Sequence, residues 1–286
     1  MLDANEGSIL FGGIDTKKYK GDLTRINIYP GTNGLFSSFL VALTSLEAVS
    51  SSGQDTLTSS KFPIPVVLDS GTTLSYLPTD IANQVWNEVG ARYSAELGVA
   101  VIPCKMQNSN GHFSFGFAGP NGPRVNVSMD ELVLDLTSGR PPVFSSGPWK
   151  GESVCQFGIQ NFTSAPYLLG DTFLRSAYVV YDLANNQIGI AETDFNSTES
   201  NIVPFPSMSA QIPSATPAPD QAQVTNKPEV TEPAYAAGSG FQQGESGGGE
   251  ENAAAGMNVA FGKTQGVLVA VTMLLTAFGS GLFLII

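Results

Sequence analysis

The stretch PVVLDSGTTLSYLP, residues 65–78, decides the fold of this chain. Its apolar residues 66–68 predict a buried strand that delivers Asp69 to a sharp turn. Gly71 would let the backbone of that turn approach another segment closely. Three hydroxyl donors surround the carboxylate, namely Ser70, Thr72 and Thr73. Asp-Ser-Gly alone is typical of plain turns, but an apolar strand before it and two threonines after it indicate a chemical site.

Composition narrows the kinds of partner that the chain can bind. Of its 286 residues, 42% are hydrophobic, which is enough to bury a sizeable core. It carries 13 Lys and Arg against 25 Asp and Glu, and its only basic run is residues 17–20. This argues against a nucleic-acid partner, because phosphate binding needs a concentrated basic surface. One histidine, His112, and two widely spaced cysteines supply too few ligands for a zinc site, so we expect no metal.

Residues 1–203 are interpreted as a β domain, because short apolar runs rich in Val, Ile, Phe and Tyr alternate with Gly, Pro, Asn and Ser. The predicted strands are residues 9–12, 23–29, 66–68, 125–127, 131–136, 178–181 and 187–191. The last two are expected to form a hairpin across residues 183–186.

One helix is predicted directly after Pro78. Its apolar residues recur at helical spacing, namely Ile81, Val85 and Val89. We expect Thr79 or Asp80 to cap its N-terminus and Gly90 to end it. Such a helix packs one face against the core and is not itself a site.

Two further segments resemble the same protein family as the aspartate turn. They are GSILFGGIDTKKYKGDL at residues 7–23 and YLLGDTFLRSAYVVYDL at residues 167–183. In this order and at this spacing, the three segments resemble the C-terminal lobe of the pepsin family of aspartic endopeptidases, and within it the fungal yapsin-type proteases. The resemblance covers residues 7–191. It implies an all-β fold, one lobe of the bilobal pepsin-like acid protease, in which residues 168–170 thread against the aspartate turn.

The resemblance also implies roles for the residues of that turn. Asp69 would be a catalytic carboxylate, Thr72 would donate to its outer oxygen, and Ser70 would bond across the two lobes. Gly71 and Thr73 would line the cleft beside the backbone of a polypeptide substrate. The implied reaction is activation of one water by two aspartates that share a proton, which needs no cofactor.

The sequence contains one aspartate of the expected pair. Asp171-Thr172 is followed by Phe173 where the motif needs glycine, and no other Asp-Thr/Ser-Gly occurs. We therefore expect an N-terminal lobe, with the other aspartate and a secretion signal, to precede Gly7, and we expect the chain to be inactive without it. Two other classes of function stay open, a non-catalytic surface-anchored binding module derived from a protease and a structural wall protein.

Several features indicate an extracellular chain. Three Asn-x-Ser/Thr sequons predict glycosylation, at Asn126, Asn161 and Asn196. Cys104 and Cys155 are expected to form a disulfide, with two buried free thiols as the alternative. His112 would then lie in a surface loop that this disulfide closes, and it would have no catalytic role.

The composition changes after residue 203. Residues 204–252 are rich in Pro, Ala, Ser, Gly, Gln and Glu, so we expect a disordered stalk. It contains a few scattered large apolar residues, namely Phe205, Ile212, Tyr235 and Phe241.

Residues 253–286 are interpreted as a glycosylphosphatidylinositol-anchor signal, because small residues and a spacer precede the uncharged apolar run 266–286. Asn252 is the expected attachment residue, with Ser246 and Gly256 as alternatives. A transmembrane helix is the alternative to the lipid anchor, although no Lys or Arg follows the apolar run. The expected location is the extracellular face of the plasma membrane or the cell wall.

Overall fold

The computed structural model describes residues 8–137, 139–225 and 227–242, together with the backbone of residues 259 and 260. Its strands are β1 Gly13–Asp15, β2 Tyr19–Asn27, β3 Leu40–Ser50, β4 Gly53–Thr56, β5 Ile64–Leu68, β6 Ser75–Pro78, β7 Arg92–Ser94, β8 Val99–Pro103, β9 His112–Phe117, β10 Arg124–Ser128, β11 Val133–Asp135, β12 Val143–Phe144, β13 Val154–Phe157, β14 Ile159–Phe162, β15 Tyr167–Leu169, β16 Ala177–Asp182, β17 Gln187–Thr193, β18 Ile202–Pro204, β19 Ala215–Pro217 and β20 Val259–Ala260. Its helices are short apart from the first: α1 Thr79–Val89, α2 Met129–Leu132, α3 Asp171–Leu174 and α4 Gly238–Phe241, with 3₁₀ helices at Cys104–Asn108 and Gln221–Gln223. The fold is all-β in character, as the sequence predicts.

The largest sheet has eight strands, in the order β10-β9-β3-β5-β15-β6-β14, with β4 pairing with β3. Two four-stranded sheets follow the orders β11-β13-β8-β7 and β16-β17-β2-β19, and β1–β18 and β12–β20 form separate pairs. Most neighbouring strands are antiparallel, but β15 runs parallel to β5, β14 to β6 and β19 to β2. The central strands of the large sheet therefore come from segments that are far apart in the sequence.

Strand β9 lies at the centre of the hydrophobic core. Phe113, Phe115 and Phe117 are each at most 1% exposed. Phe173 of α3 packs edge-on against two of these rings, with centroids 5.2 Å from Phe115 and 5.7 Å from Phe117. Full burial of one such ring contributes roughly 1.5–3 kcal/mol. These contacts fix α3, and with it the end of β15, against the core.

The helix predicted after Pro78 is confirmed as α1. Its apolar face is buried, and the indole of Trp86 donates to the carbonyl oxygen of Ile159 at 2.9 Å. The helix ends at Gly90, whose φ of 77° lies in the left-handed region that favours glycine. The predicted cap is wrong, because Pro78 itself occupies the N-cap position and Thr79 is already helical.

Two strand predictions differ from the structure. Residues 9–12 are not a strand, and the first strand begins only after Gly12, whose φ of +74° interrupts the extended chain. Residues 131–136 divide into helix α2 and strand β11. Asp130 and Glu131 lie in the first turn of α2, where negative side chains stabilise a helix N-terminus. The strand prediction overlooked that charge pattern.

The prediction of a disordered stalk is wrong for the described residues of 204–242. Strand β18 pairs with β1, and β19 pairs in parallel with β2. Ile212 is 2% exposed and Phe241 is 1% exposed. Ile212 and Phe241 thus anchor this segment, and local composition does not reveal their partners on the lobe. Residues 243–252 lie outside the described part of the chain.

A disulfide joins Cys104 to Cys155, with an S–S distance of 2.02 Å. It connects the start of a 3₁₀ helix to β13. His112 is the first residue of β9, so the prediction that it lies in a loop is wrong.

Of the three asparagines predicted to be glycosylated, Asn126 and Asn196 are exposed, and Asn161 is half-buried.

The residues of the predicted anchor follow the described part of the lobe. Asn252, Ser246, Gly256 and the apolar run 266–286 lie outside the described residues. Within the described ranges, none of the helices has both the length and the apolar character needed to cross a bilayer.

Candidate active site

Strand β15 lies between β5 and β6 and fixes the turn that joins them. It pairs in parallel with β5, where Leu169 is the partner of Leu68, and it meets β6 where Leu168 faces Tyr76. The backbone N–H of Asp69 donates to the carbonyl oxygen of Leu169 at 3.0 Å. The chain 64–78 therefore loops around the end of β15, which is the threading that the family resemblance implies.

Gly170 packs directly beneath this turn. A Cβ atom at Gly170 would lie 2.2 Å from the carbonyl oxygen of Thr72 and 2.4 Å from that of Leu74, closer than real Cβ contacts allow. The next two backbone N–H groups bind the turn, since Asp171 donates to Thr72 at 2.9 Å and Thr172 donates to Thr73 at 3.0 Å. The start of α3 thus clamps the turn from below.

The carboxylate of Asp69 is oriented by two hydrogen bonds from its own turn. Its Oδ1 accepts from the backbone N–H of Gly71 at 3.0 Å. Its Oδ2 accepts from the hydroxyl of Thr72 at 2.6 Å, which is short for a hydrogen bond and typical of a charged acceptor. Asp69 is half-buried, so the oriented carboxylate stays partly open to solvent.

The other residues predicted for this site lie on the open side of the turn. Ser70, Gly71 and Thr73 are exposed. The side chains of Ser70 and Thr73 make no hydrogen bond within the part of the chain that the structure describes. A Cβ atom at Gly71 would lie 3.2 Å from Oδ1 of Asp69, so this position leaves little room for a side chain. The structure therefore groups all five predicted residues at one turn.

Two further titratable groups, Asp171 and Tyr181, interact electrostatically with Asp69, and sequence reasoning missed Tyr181. Burial raises the pKa of the Asp171 carboxyl, Arg175 opposes that effect, and the charge of Asp69 adds to it. Burial, with a smaller contribution from the charge of Asp69, raises the pKa of Tyr181 to about 12. The position of Asp171 near the turn follows from its place directly after Gly170. Tyr181 lies on β16, and nothing in the sequence near Asp69 points to it.

One cluster of potential metal ligands occurs within the described ranges, formed by Cys104, Asp135 and Cys155. Both sulfur atoms belong to the disulfide, so this cluster does not form a metal site.

The arrangement at Asp69 can perform one half of an acid–base reaction. A fixed and partly exposed carboxylate can accept a proton from a water molecule bound against it. Polarising a carbonyl group at the same time needs a second, proton-bearing group. Within the described residues, Asp171 does not form a second turn of this type, because it begins helix α3.

Comparison with known proteins agrees with this geometry. Residues 2–193 match the family model described as eukaryotic aspartyl protease. The chain is 43% identical over 215 residues to the probable aspartic-type endopeptidase opsB of Aspergillus fumigatus, covering 75% of this chain and 42% of that protein. It is 35% identical over 222 residues to aspartic proteinase 3 of Saccharomyces cerevisiae, covering 76% and 35%. It is 33% identical over 202 residues to barrierpepsin of the same yeast, covering 69% and 31%.

The chain thus spans less than half the length of these curated relatives. The family model matches more than half of the chain, and its matched range includes both the aspartate turn and the strand that threads it. The threaded turn and the sequence match lead to the same conclusion, that this chain belongs to the eukaryotic aspartyl protease family.

Proposed function

We propose that this chain supplies one lobe, and one of the two catalytic carboxylates, of an aspartic-type endopeptidase. The observation that carries the proposal is the Asp69 carboxylate, held on both oxygens by Gly71 and Thr72. Strand β15 and the start of α3 also bind the backbone of this turn, so the carboxylate is carried on a fixed segment.

The mechanism requires a second aspartate, which we assign to an N-terminal lobe of the same enzyme. Two carboxylates in close contact share one proton, because both cannot ionise at that distance. The ionised carboxylate takes a proton from water, and the water oxygen attacks the carbonyl carbon of a polypeptide substrate. The protonated carboxyl donates to the carbonyl oxygen, and a proton then passes to the leaving nitrogen as the C–N bond breaks.

The exposed residues of the turn would complete the site against the second lobe. Ser70 would bond across the two lobes, while Gly71 and Thr73 would line the cleft beside the substrate backbone. Their exposure in this chain supports these roles, because groups at such an interface are covered only when the other lobe is present. The greater length of the relatives also leaves room for that lobe.

The expected location is the outer face of the plasma membrane or the cell wall. The disulfide Cys104–Cys155 and the exposed sequons Asn126 and Asn196 support passage through an oxidising, glycosylating compartment. We propose a transamidation at Asn252, in which the peptide bond to Ala253 breaks, residues 253–286 leave, and the glycosylphosphatidylinositol anchor is joined to the freed carbonyl of Asn252.

The test is cleavage of a peptide at acid pH, with this chain joined to the N-terminal part of the Aspergillus fumigatus relative. Changing Asp69→Asn keeps the shape of the side chain but removes proton exchange, so kcat/KM should fall by about 10³-fold. The exposed Asp22→Asn, an identical chemical change elsewhere on the surface, is the control and should leave kcat/KM unchanged.

Three outcomes would count against the proposal. An Asp69→Asn variant that retains a tenth of the activity would show that another group does the chemistry. Cleavage by the chain alone would contradict the need for a second lobe. Peptide binding without cleavage by the joined protein would favour the non-catalytic binding module.

A further inference from the structure

Residues 235–241, called the latch below, dock onto a socket formed by Ser50, Ser52, Asp55 and Glu88. The socket lies where the β3–β4 hairpin meets the C-terminal end of α1. It shares no residue with the turn that carries Asp69.

The socket recognises the backbone of the latch. The hydroxyl of Ser50 donates to the carbonyl oxygen of Ala237 at 2.6 Å, and the hydroxyl of Ser52 donates to that of Ala236 at 2.6 Å. The backbone N–H of Gly240 donates to the hydroxyl oxygen of Ser52 at 2.8 Å. A Cβ atom at Gly240 would lie 2.2 Å from the Ser50 hydroxyl, so the fit depends on that glycine.

Aromatic side chains at both ends of the latch fix its position. Phe241 is 1% exposed and stacks on Phe113, with centroids 5.3 Å apart and planes at 20°. Its ring fills the space beside Gly111, where a Cβ atom would lie 2.2 Å from the ring. At the other end, the phenolic oxygen of Tyr235 accepts from the amide of Asn87 at 3.2 Å.

Two carboxyl groups lie beneath the latch. The backbone N–H of Ala237 donates to Oδ2 of Asp55 at 2.7 Å. Glu88 is fully buried, and neither of its oxygens makes a hydrogen bond of standard geometry within the described part of the chain. A Cβ atom at Gly238 would lie 3.6 Å from Oε2 of Glu88, so the latch backbone covers that carboxyl.

Burial, with a further contribution from the neighbouring Asp55, raises the pKa of Glu88 to about 8. The other titratable groups around α1 point elsewhere. Asp80, at the opposite end of the helix, pairs with Lys61 at 3.2 Å, and the guanidinium of Arg92 lies over the ring of Trp149. The latch itself contributes only the phenol of Tyr235, which binds Asn87.

We propose that the latch is detachable, and that its docking takes up a proton at Glu88, which lies beside Asp55, so that the lobe binds this segment in acid and releases it as the pH rises. Undocking would expose Glu88 to water and return its pKa towards the ordinary value of 4.5. The docked state then binds more protons than the undocked state between pH 4.5 and about 8. Docking is therefore strongest below this window, weakens through it, and changes no further above it.

The latch is continuous with the C-terminal part of the chain. Its state therefore decides whether residues 235–241 are held against the lobe or separated from it. The proposal concerns the position of the lobe relative to its own C-terminal segment, and it holds whether or not the chain is catalytic.

The test is hydrogen–deuterium exchange on the full chain at pH 5 and pH 7.5, with protection factors corrected for the intrinsic effect of pH. Protection of residues 235–241 should fall by about 100-fold between the two values, as linkage to one proton with these two pKa values requires. Strands β13 and β14 serve as an internal reference for the folded core. Glu88→Gln replaces the titrating group with a neutral group of the same shape, and should reduce the change to less than threefold.

Two further variants complete the experiment. The exposed Glu96→Gln is the matched control and should keep the full pH dependence. Phe241→Ala should remove latch protection at both pH values while the reference strands stay protected. A wild-type change below tenfold, a Glu88→Gln variant that keeps the wild-type change, or a Phe241→Ala variant with full latch protection would each overturn the proposal. If Glu88→Gln does not fold, the proposal is still tested by the change in wild-type latch protection between pH 5 and pH 7.5 and by the latch protection of Phe241→Ala.

Discussion

Thr72 is the side chain that ties the Asp69 carboxylate to its turn. Its hydroxyl lies 2.6 Å from Oδ2, while Oδ1 relies on the backbone N–H of Gly71. Both hydrogen bonds restrict rotation of the carboxylate. A substitution of Thr72 removes the bond to Oδ2, whereas the bond to Oδ1 comes from the backbone and does not depend on a side chain.

We expect Thr72→Val to lower kcat/KM of the joined enzyme by about 10- to 100-fold, since a hydrogen bond to a charged group contributes roughly 1.5–3 kcal/mol. Thr72→Ser keeps the hydroxyl and should stay close to wild type. The melting temperature of both variants distinguishes an effect on the site from an effect on the fold. A Thr72→Val enzyme within twofold of wild type would show that the bond does not act in the reaction.

The sequence could predict the turn residues and, through the family resemblance, the threading of residues 168–170, but not the position of Tyr181. Ser70, Gly71, Thr72 and Thr73 follow Asp69 directly, so a local motif contains them all. Tyr181 is more than 100 residues away, and only the packing of β16 brings it within range of the Asp69 charge.

At the scale of elements, the decisive contact is the insertion of β15 between β5 and β6. Three parallel pairs join β15 to β5, and the chain then passes beneath the turn at Gly170. At Gly170, directly after this strand, there is no space for a Cβ atom on the side that faces the turn.

Gly170→Ala should therefore reduce the free energy of unfolding by about 1–3 kcal/mol, the usual cost of overpacking, because the atoms it would meet are backbone carbonyls that cannot rotate away. Urea denaturation measures this change. Gly139→Ala is the matched control, since a Cβ atom there has nothing within 4 Å. Equal stability of the two variants would contradict the enclosed position of Gly170.

Element types were predicted best where the periodicity was long. Helix α1 shows apolar residues at three helical positions, and its C-terminal glycine has the expected conformation. In contrast, residues 131–136 contain too few residues for periodicity to separate one helical turn from a strand. Helix α2 forms there with Met129 and Leu132 buried and with the acidic residues Asp130 and Glu131 in its first turn.

At the scale of the whole molecule, residues 204–242 show what local composition cannot predict. Their Gly, Pro and Ala content is typical of disorder. Phe241 nevertheless stacks on Phe113, and Ala215–Pro217 extends the sheet of β2. These partners lie more than 100 residues away in the sequence, so a window along the chain cannot include both sides of either contact.

The proposed anchor is also tested on the whole molecule. Phosphatidylinositol-specific phospholipase should release the protein from membranes, and the released chain should lack residues 266–286, because attachment at Asn252 removes them. Mass spectrometry of the C-terminal peptide identifies the attachment residue. Protein that stays membrane-bound after treatment and still contains Ile286 would show that residues 266–286 form a membrane span.

The threading of β15 has a consequence for the stage of folding at which the Asp69 turn becomes fixed. Leu169 comes 100 residues after Asp69, and contacts between such distant segments form late, because the intervening chain must first be ordered. Before β15 pairs, the turn that carries Asp69 lacks the backbone hydrogen bonds that join it to Leu169, Asp171 and Thr172. Under the proposed function, the site would become competent only after β15 has paired with β5 and β6, late in folding.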